Sequence, residues 1–244
     1  MPEGPEYRGR SPKQIISDRV YFDSVGYAFR ALSWLEIAKQ NRNVCALQYA
    51  AHDARQAIEQ LFFEEIVLSV GTALDRKEYE RCRGNSTKLH KILKRLSPDY
   101  ARLALFTQVI FSVDPKSPPL VSWDHKALIK HWRRISTYLH WAGEPAQTVE
   151  CDGWIDKGIG AVEMAASHIW DNNRAGFTGI MMPNKMQPEI KDCWERFRCG
   201  DIDSESVRRI AHIALPILSK RIKRKGKAQP GGSVDQGHSG PIEK

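Results

Sequence analysis

Two arginines and a histidine, Arg133, Arg134 and His140, fall close together in the stretch 124–143, DHKALIKHWRRISTYLHWAG. A guanidinium stays charged and offers a planar fork of donors, whereas an imidazole gains or loses its proton near neutrality. Such a pair suits phosphate chemistry. Read as a helix, the stretch puts Leu128, Trp132, Ile135, Leu139 and Ala142 on one apolar stripe and Lys126, Lys130, Arg133, Thr137 and His140 on the opposite one. Arg133 and His140, seven apart, then lie within about 20° of each other, and Arg134 lies about 120° from His140. Ser122 reads as the N-cap and Gly143 with Pro145 as the stop. His140 would occupy the last turn, where unpaired carbonyls favour imidazolium and raise its pKa.

Other chemistries lack their residues. His125, His131 and Asp124 sketch a metal site, but positions six apart on a helix diverge, so the reading is no metal and no cofactor. Cys45, Cys82, Cys151, Cys193 and Cys199 are odd in number and scattered, as reduced thiols are. No glycine-rich phosphate loop follows a strand pattern, and no G-x-S-x-G elbow occurs. Trp123, Trp132 and Trp141 recur every nine residues, which alternates helix faces, so they read as packing residues.

The 244 residues suffice for one substantial core with an added subdomain. Nothing in the chain is apolar for long enough to span a bilayer, and MPEGPEYRGRSPK lacks a signal peptide's apolar core, so a cytoplasmic protein is expected. Of 37 Lys and Arg, six lie between Lys220 and Lys227, which leaves 31 against 29 Asp and Glu elsewhere. The body is therefore nearly neutral. The basic run, with Lys220, Arg221, Lys223, Arg224 and Lys225, reads as a sequence-independent nucleic-acid contact.

The elements needed to hold the Arg/His stretch are helical. Residues 1–22 read as a flexible arm, and 24–40 as a first helix with Tyr27, Leu32, Leu35 and Ala38 inward. The longest helix spans about 44–70, with Leu47, Ala51, Ala54, Ile58 and Leu61 on one side and His52, Arg55 and Glu59 on the other. Arg55 and Glu59 are spaced for a surface ion pair. RKEYERCRG, opened by an Asp75–Glu78 capping box, and TKLHKILKRL follow as short helices. Ser97-Pro98 reads as N-cap and N1 of a helix that turns Leu103, Phe106, Ile110 and Val113 inward. After the central stretch, 153–173 forms another helix through Ile155, Ile159, Val162, Ala166 and Ile169, weakened by Gly158 and Gly160. The expected fold is all-α: an up-and-down helical bundle over 23–175, a small, mostly helical appendage over 176–220, and a disordered basic tail over 221–244. Within the appendage, RAGFTGIMMPNKMQP reads as a strand or extended arm, and helices fall near 189–198 and 204–215, the second kinked or ended by Pro216.

Two stretches together, YAAHDARQAIEQLFFEE at 49–65 and RRISTYLH at 133–140, resemble the HEPN superfamily of helical bundles. That resemblance covers about 24–173. It implies an Arg-x4-6-His motif, which fits as Arg134-x5-His140 and as Arg133-x6-His140. It further implies a metal-independent endoribonuclease of a defence or toxin-antitoxin system, with Arg133, Arg134 and His140 catalytic and motifs of two protomers facing each other in a homodimer. Arg55, Glu59 and Thr137 would orient the motif, and Lys126 and Lys130 would hold RNA. An antitoxin or a nucleotidyltransferase-like protein is the implied partner. Many active relatives carry Asn, Asp or His directly after the arginine, where Arg134 and Ile135 stand here. The alternative is a non-catalytic bundle of the same kind used for dimerisation or partner binding.

Overall fold

A computed structural model describes residues 6–17, 23–70, 77, 86–114, 119–139 and 153–227. Among them the chain forms α1 (Pro12–Ser17), α2 (Ser24–Asn41), α3 (Val44–Val70), α4 (Ser86–Leu96), α5 (Tyr100–Phe111), β1 (Leu120–Val121), α6 (His125–Ser136), α7 (Trp154–Ala175), β2 (Phe177–Thr178), α8 (Pro188–Cys199) and α9 (Ser204–Lys227). The architecture is an all-α bundle.

Helix α2 begins at Asp23, whose carboxylate accepts from the Gly26 amide at 2.6 Å, and ends at Arg42 in the left-handed region. Asn43 accepts from the Ala46 amide at 2.9 Å and opens α3 within one residue, so the two helices turn back on each other. Arg30 of α2 then reaches Asp53 of α3 through two bonds of 2.7 and 2.5 Å. Every residue of the expected α3 stripe, Leu47, Ala51, Ala54, Ile58 and Leu61, is buried. That stripe is the axis of a first core to which α2, α4, α6 and α7 contribute. At Gly158 of α7, a Cβ would stand 2.9 Å from Leu47 Cδ2 and 3.0 Å from Tyr138 Cδ1, so the glycine that lowers helix propensity lets α7 approach closely.

A second core departs from the expected partition. The α5 stripe, Leu103, Phe106, Ile110 and Val113, is inward as expected, but it packs with Ile190, Trp194 and Phe197 of α8 and with Val207 and Ala211 of α9. The helices placed in a 176–220 appendage thus share a core with α5. A two-stranded parallel pair, Leu120 beside Phe177 and Val121 beside Thr178, joins the chain ahead of α6 to the chain after α7. The extended reading near 177 is met in this form.

Several ends differ from expectation. Asp124, not Ser122, caps α6, with its carboxylate accepting from the Lys126 and Ala127 amides at 2.9 and 3.0 Å. Asp99 rather than Ser97 precedes α5, because the Tyr100 amide donates to the Ser97 carbonyl at 3.0 Å and closes a turn first. Helix α9 continues through Pro216 to Lys227. Proline removes one donor, and the helical bonds on either side carry the element past it. The backbone of 221–227 is therefore helical, where a disordered tail was expected to begin; 228–244, like the Asp75–Glu78 capping box, lies outside the described residues. Among the described residues no helix is long and apolar enough to cross a membrane.

Candidate active site on helix α6

Helix α6 separates its faces as its sequence requires. Leu128 and Ile135 are wholly buried, and Trp132 and Leu139 pack against the first core. Lys126, Lys130, Arg133, Arg134 and Thr137 are all exposed. The α-helix stops at Ser136, short of the expected 143. Tyr138 and Leu139 donate instead to the carbonyls of Ile135 and Ser136 at 2.9 and 3.2 Å, three residues back, and the Thr137 hydroxyl donates to the Arg134 carbonyl at 2.7 Å. Such bonds wind at about 120° per residue instead of 100°. The helical phase on which Arg133 was expected to align better than Arg134 therefore ends at Ser136. His140, Trp141, Ala142, Gly143 and Pro145 lie outside the described residues.

What fixes the arginines in place comes from α3. Glu59 is 6% exposed, and its Oε1 accepts from Arg55 Nε at 2.9 Å and from Trp132 Nε1 at 2.8 Å. The Arg55 guanidinium lies 4.7 Å from the centre of the Trp132 ring. The expected surface ion pair is thus a largely covered one, because the indole preceding Arg133 lies over it. An indole donor, a guanidinium and a carboxylate tie α6 to α3 beside the arginines. By contrast, His52, on the same side of α3, is exposed.

The two histidines of α6 go to opposite flanks. His125 packs 5.2 Å from Phe62, 5.2 Å from Tyr100 and 5.6 Å from His90, ring centre to ring centre. His131 lies 5.7 Å from His168 of α7. Burial and the neighbouring His90 push His125 down to about 4, and burial lowers His90, His131 and His168 as well. These imidazoles are neutral at pH 7. His125 Nε2, His90 Nδ1 and His168 Nε2 are buried without a hydrogen-bond partner among the described residues, which fits uncharged rings used for packing.

Beside this cluster lies a feature the sequence reading passed over. Glu65 is 1% exposed, accepts from the Tyr100 hydroxyl, and is pushed up to about 8 by burial and then by the charge of Glu64. It lines a cavity of about 410 Å³ with Glu64, Gln60, Trp123 and Asn173. Glu64 accepts from the Ser24 amide and hydroxyl at 2.9 and 2.6 Å. The paired carboxylates at 64 and 65 were the only available signal. A carboxyl that holds its proton at pH 7 is a hydrogen-bonding core group here.

The remaining candidates are placed only in part. Lys220, Arg221, Lys223, Arg224 and Lys225 belong to the helical backbone of α9, and nothing is described of their side chains. Cys45 and Cys199 are exposed free thiols and Cys193 is a buried one, whereas Cys82 and Cys151 lie outside the described residues. No family model, no curated protein and no solved structure matches the chain.

Proposed function

We propose that the chain is a metal-independent endoribonuclease of the HEPN type, working as a homodimer in a defence or toxin-antitoxin setting. One observation carries the reading. The last turn of α6 exposes Arg133 and Arg134, which have no carboxylate partner among the described residues, a few positions before His140 in the sequence, and Glu59 braces that turn from α3. In the proposed reaction, His140 takes the proton from a ribose 2′-hydroxyl as the oxygen attacks the adjacent phosphorus. The bond to the leaving 5′-oxygen breaks, and that oxygen acquires a proton from the partner protomer's imidazolium. The arginines hold the phosphate and stabilise the charge that grows on its oxygens. The products are a 2′,3′-cyclic phosphate and a 5′-hydroxyl. An antitoxin or nucleotidyltransferase-like protein would restrain the enzyme.

A second reading keeps the bundle as a non-catalytic dimerisation or partner-binding module. It is favoured by Ile135, which follows Arg134 directly and is fully buried, at a position where many active relatives carry a polar side chain. The test incubates purified protein with total RNA, with and without a chelator. Wild type should cleave in both, His140→Ala should lose about 10² to 10⁴-fold, and Arg133→Ala and Arg134→Ala should each lose activity. Cleavage unchanged by His140→Ala would remove the catalytic assignment, and no cleavage in any condition would favour the module.

A further inference from the structure

The basic face of α6 does not stop at α6. Helix α4 turns Leu89, Ile92 and Leu93 into the first core and leaves Lys91 and Lys94 exposed. It meets α6 where His90 faces His125 at 5.6 Å, and Lys94 is close enough for its charge to lower both imidazoles. The exposed Lys94 therefore adjoins the N-terminal end of α6, with the exposed Lys91 one turn earlier on the same helix. Lys126, Lys130, Arg133 and Arg134 continue from there toward the C-terminal end of α6.

Neither helix, STKLHKILKRL or HKALIKHWRRIS, contains an acidic residue. None of these six cations has a carboxylate partner among the described residues, whereas Arg30, Lys39, Arg42 and Arg55 do. The carboxylate at the junction, Asp124, accepts from the Lys126 and Ala127 amides as the α6 cap. From Lys126 to Arg134 is about 12 Å along the helix, and a neighbouring helix adds roughly 8–10 Å. That is far more than one scissile phosphate needs. Among the described residues the tryptophans of this face are half-buried, Trp132 against Arg55 and Trp123 against the first core, so neither offers an open ring for base stacking.

We propose that α4 is the distal end of an RNA track. A single strand lies over Lys91 and Lys94, crosses the start of α6 and follows Lys126 and Lys130 to the two arginines, held by its phosphates and not by its bases. This rests on the ribonuclease reading and deepens it. A single strand is the occupant because attack by a 2′-hydroxyl in line with its leaving group requires a sugar freed from A-form stacking.

Binding, read apart from cleavage, tests the track. Full-length His140→Ala protein is titrated by fluorescence anisotropy with labelled single-stranded RNAs of two sequences and with a duplex, between about 0.05 and 0.3 M salt. Each single-strand phosphate contact contributes roughly 0.7 to the slope of log affinity against log salt, so Lys91→Glu with Lys94→Glu should reduce that slope by about 1.4 and weaken binding by about tenfold. The two sequences should bind alike. Lys191→Glu, the same charge change on α8, should have no effect, and Lys91→Gln with Lys94→Gln should show the loss without new carboxylates. The track is overturned if both lysine pairs bind as the parent does, if Lys191→Glu weakens binding equally, or if the duplex binds more tightly than the single strand. Loss of binding in the lysine pairs beside a wild type that cleaves nothing would keep the track and remove the nuclease. Cleavage with salt-insensitive binding would do the reverse.

Discussion

Glu65, His90, Tyr100 and His125 come from four different helices and meet beside Phe62. Their titration sets how stability depends on pH. Glu65 holds its proton up to about 8 in the folded chain, far above the ordinary glutamate value near 4.3. Between those values the folded state binds more protons than the unfolded one, so this group's contribution is complete at low pH and is lost as pH rises toward 8. His125 has the opposite sign. Its folded value of about 4 lies below the ordinary 6.5, so stability falls as pH drops from 6.5 toward 4, and His90, His131 and His168 act in the same direction. The two trends oppose each other below about pH 6.5, and above it the loss of the Glu65 contribution continues, in the direction that burial also gives Glu64. The melting temperature should therefore peak near pH 6.5 and fall toward pH 8, with a slope of at most about 1.4 kcal/mol per pH unit. Glu65→Gln keeps an acceptor for Tyr100 and should flatten the alkaline side. A wild-type slope in that variant, or a melting temperature that rises through pH 8, would contradict the assignment. No spacing in the sequence foretells this cluster, since periodicity states which residues turn inward but not which of them meet.

At the scale of the element, stripes are legible and ends are not. Leu128 and Ile135 or Leu103 and Phe106 are readable because a wrong phase would expose several apolar side chains at once. Whether α6 stops at Ser136 or runs to 143 turns on one or two bonds, as the Tyr138 and Leu139 amides bonded three residues back show. Covered polar groups are legible only in half. The spacing pairs Arg55 with Glu59, but Trp132, 73 residues beyond Glu59, covers them and takes the remaining bond. The glycines of α7 show the same division between local rule and packing. By helix propensity, Gly158→Ala and Gly160→Ala should each stabilise by up to about 1 kcal/mol. At Gly160 nothing lies within 4 Å of the added carbon, so that gain should appear, whereas at Gly158 Leu47 and Tyr138 must yield. Overpacking of this kind costs roughly 1–3 kcal/mol, so urea unfolding should rank Gly158→Ala below Gly160→Ala by about that amount. Equal stability of the two variants would mean that α7 does not approach Leu47 so closely.

For the whole molecule, the arrangement is two cores, joined through the strand pair and through Tyr100 of α5, which packs on the first. The first holds the α6 face and the second is built from α5, α8 and α9, while β1 and β2 lie where the chain passes between them. Within the second core, Thr107 of α5 accepts from the Met181 amide at 3.0 Å and holds the chain just beyond β2. Gly176 sets the spacing of the strand pair. Its backbone is extended, with φ of 178°, so dihedral freedom is not the reason for glycine; a Cβ there would lie 2.0 Å from the Pro119 carbonyl oxygen. A main-chain atom cannot swing aside as the end of a leucine can. Gly176→Ala must part the strands, and with them the bond from the Phe177 amide to the Pro119 carbonyl at 2.9 Å. The expected loss is at least about 1 kcal/mol for that bond, with strain in addition. Hydrogen exchange locates the effect better than melting does, because local opening has its own free energy. In Gly176→Ala the Phe177 amide should exchange much faster, while core amides such as Ile58 and Leu128 keep their protection. Uniformly faster exchange would instead show the strand pair to be part of one cooperative core, and an unchanged Phe177 rate would show that the strands are not in contact at Gly176.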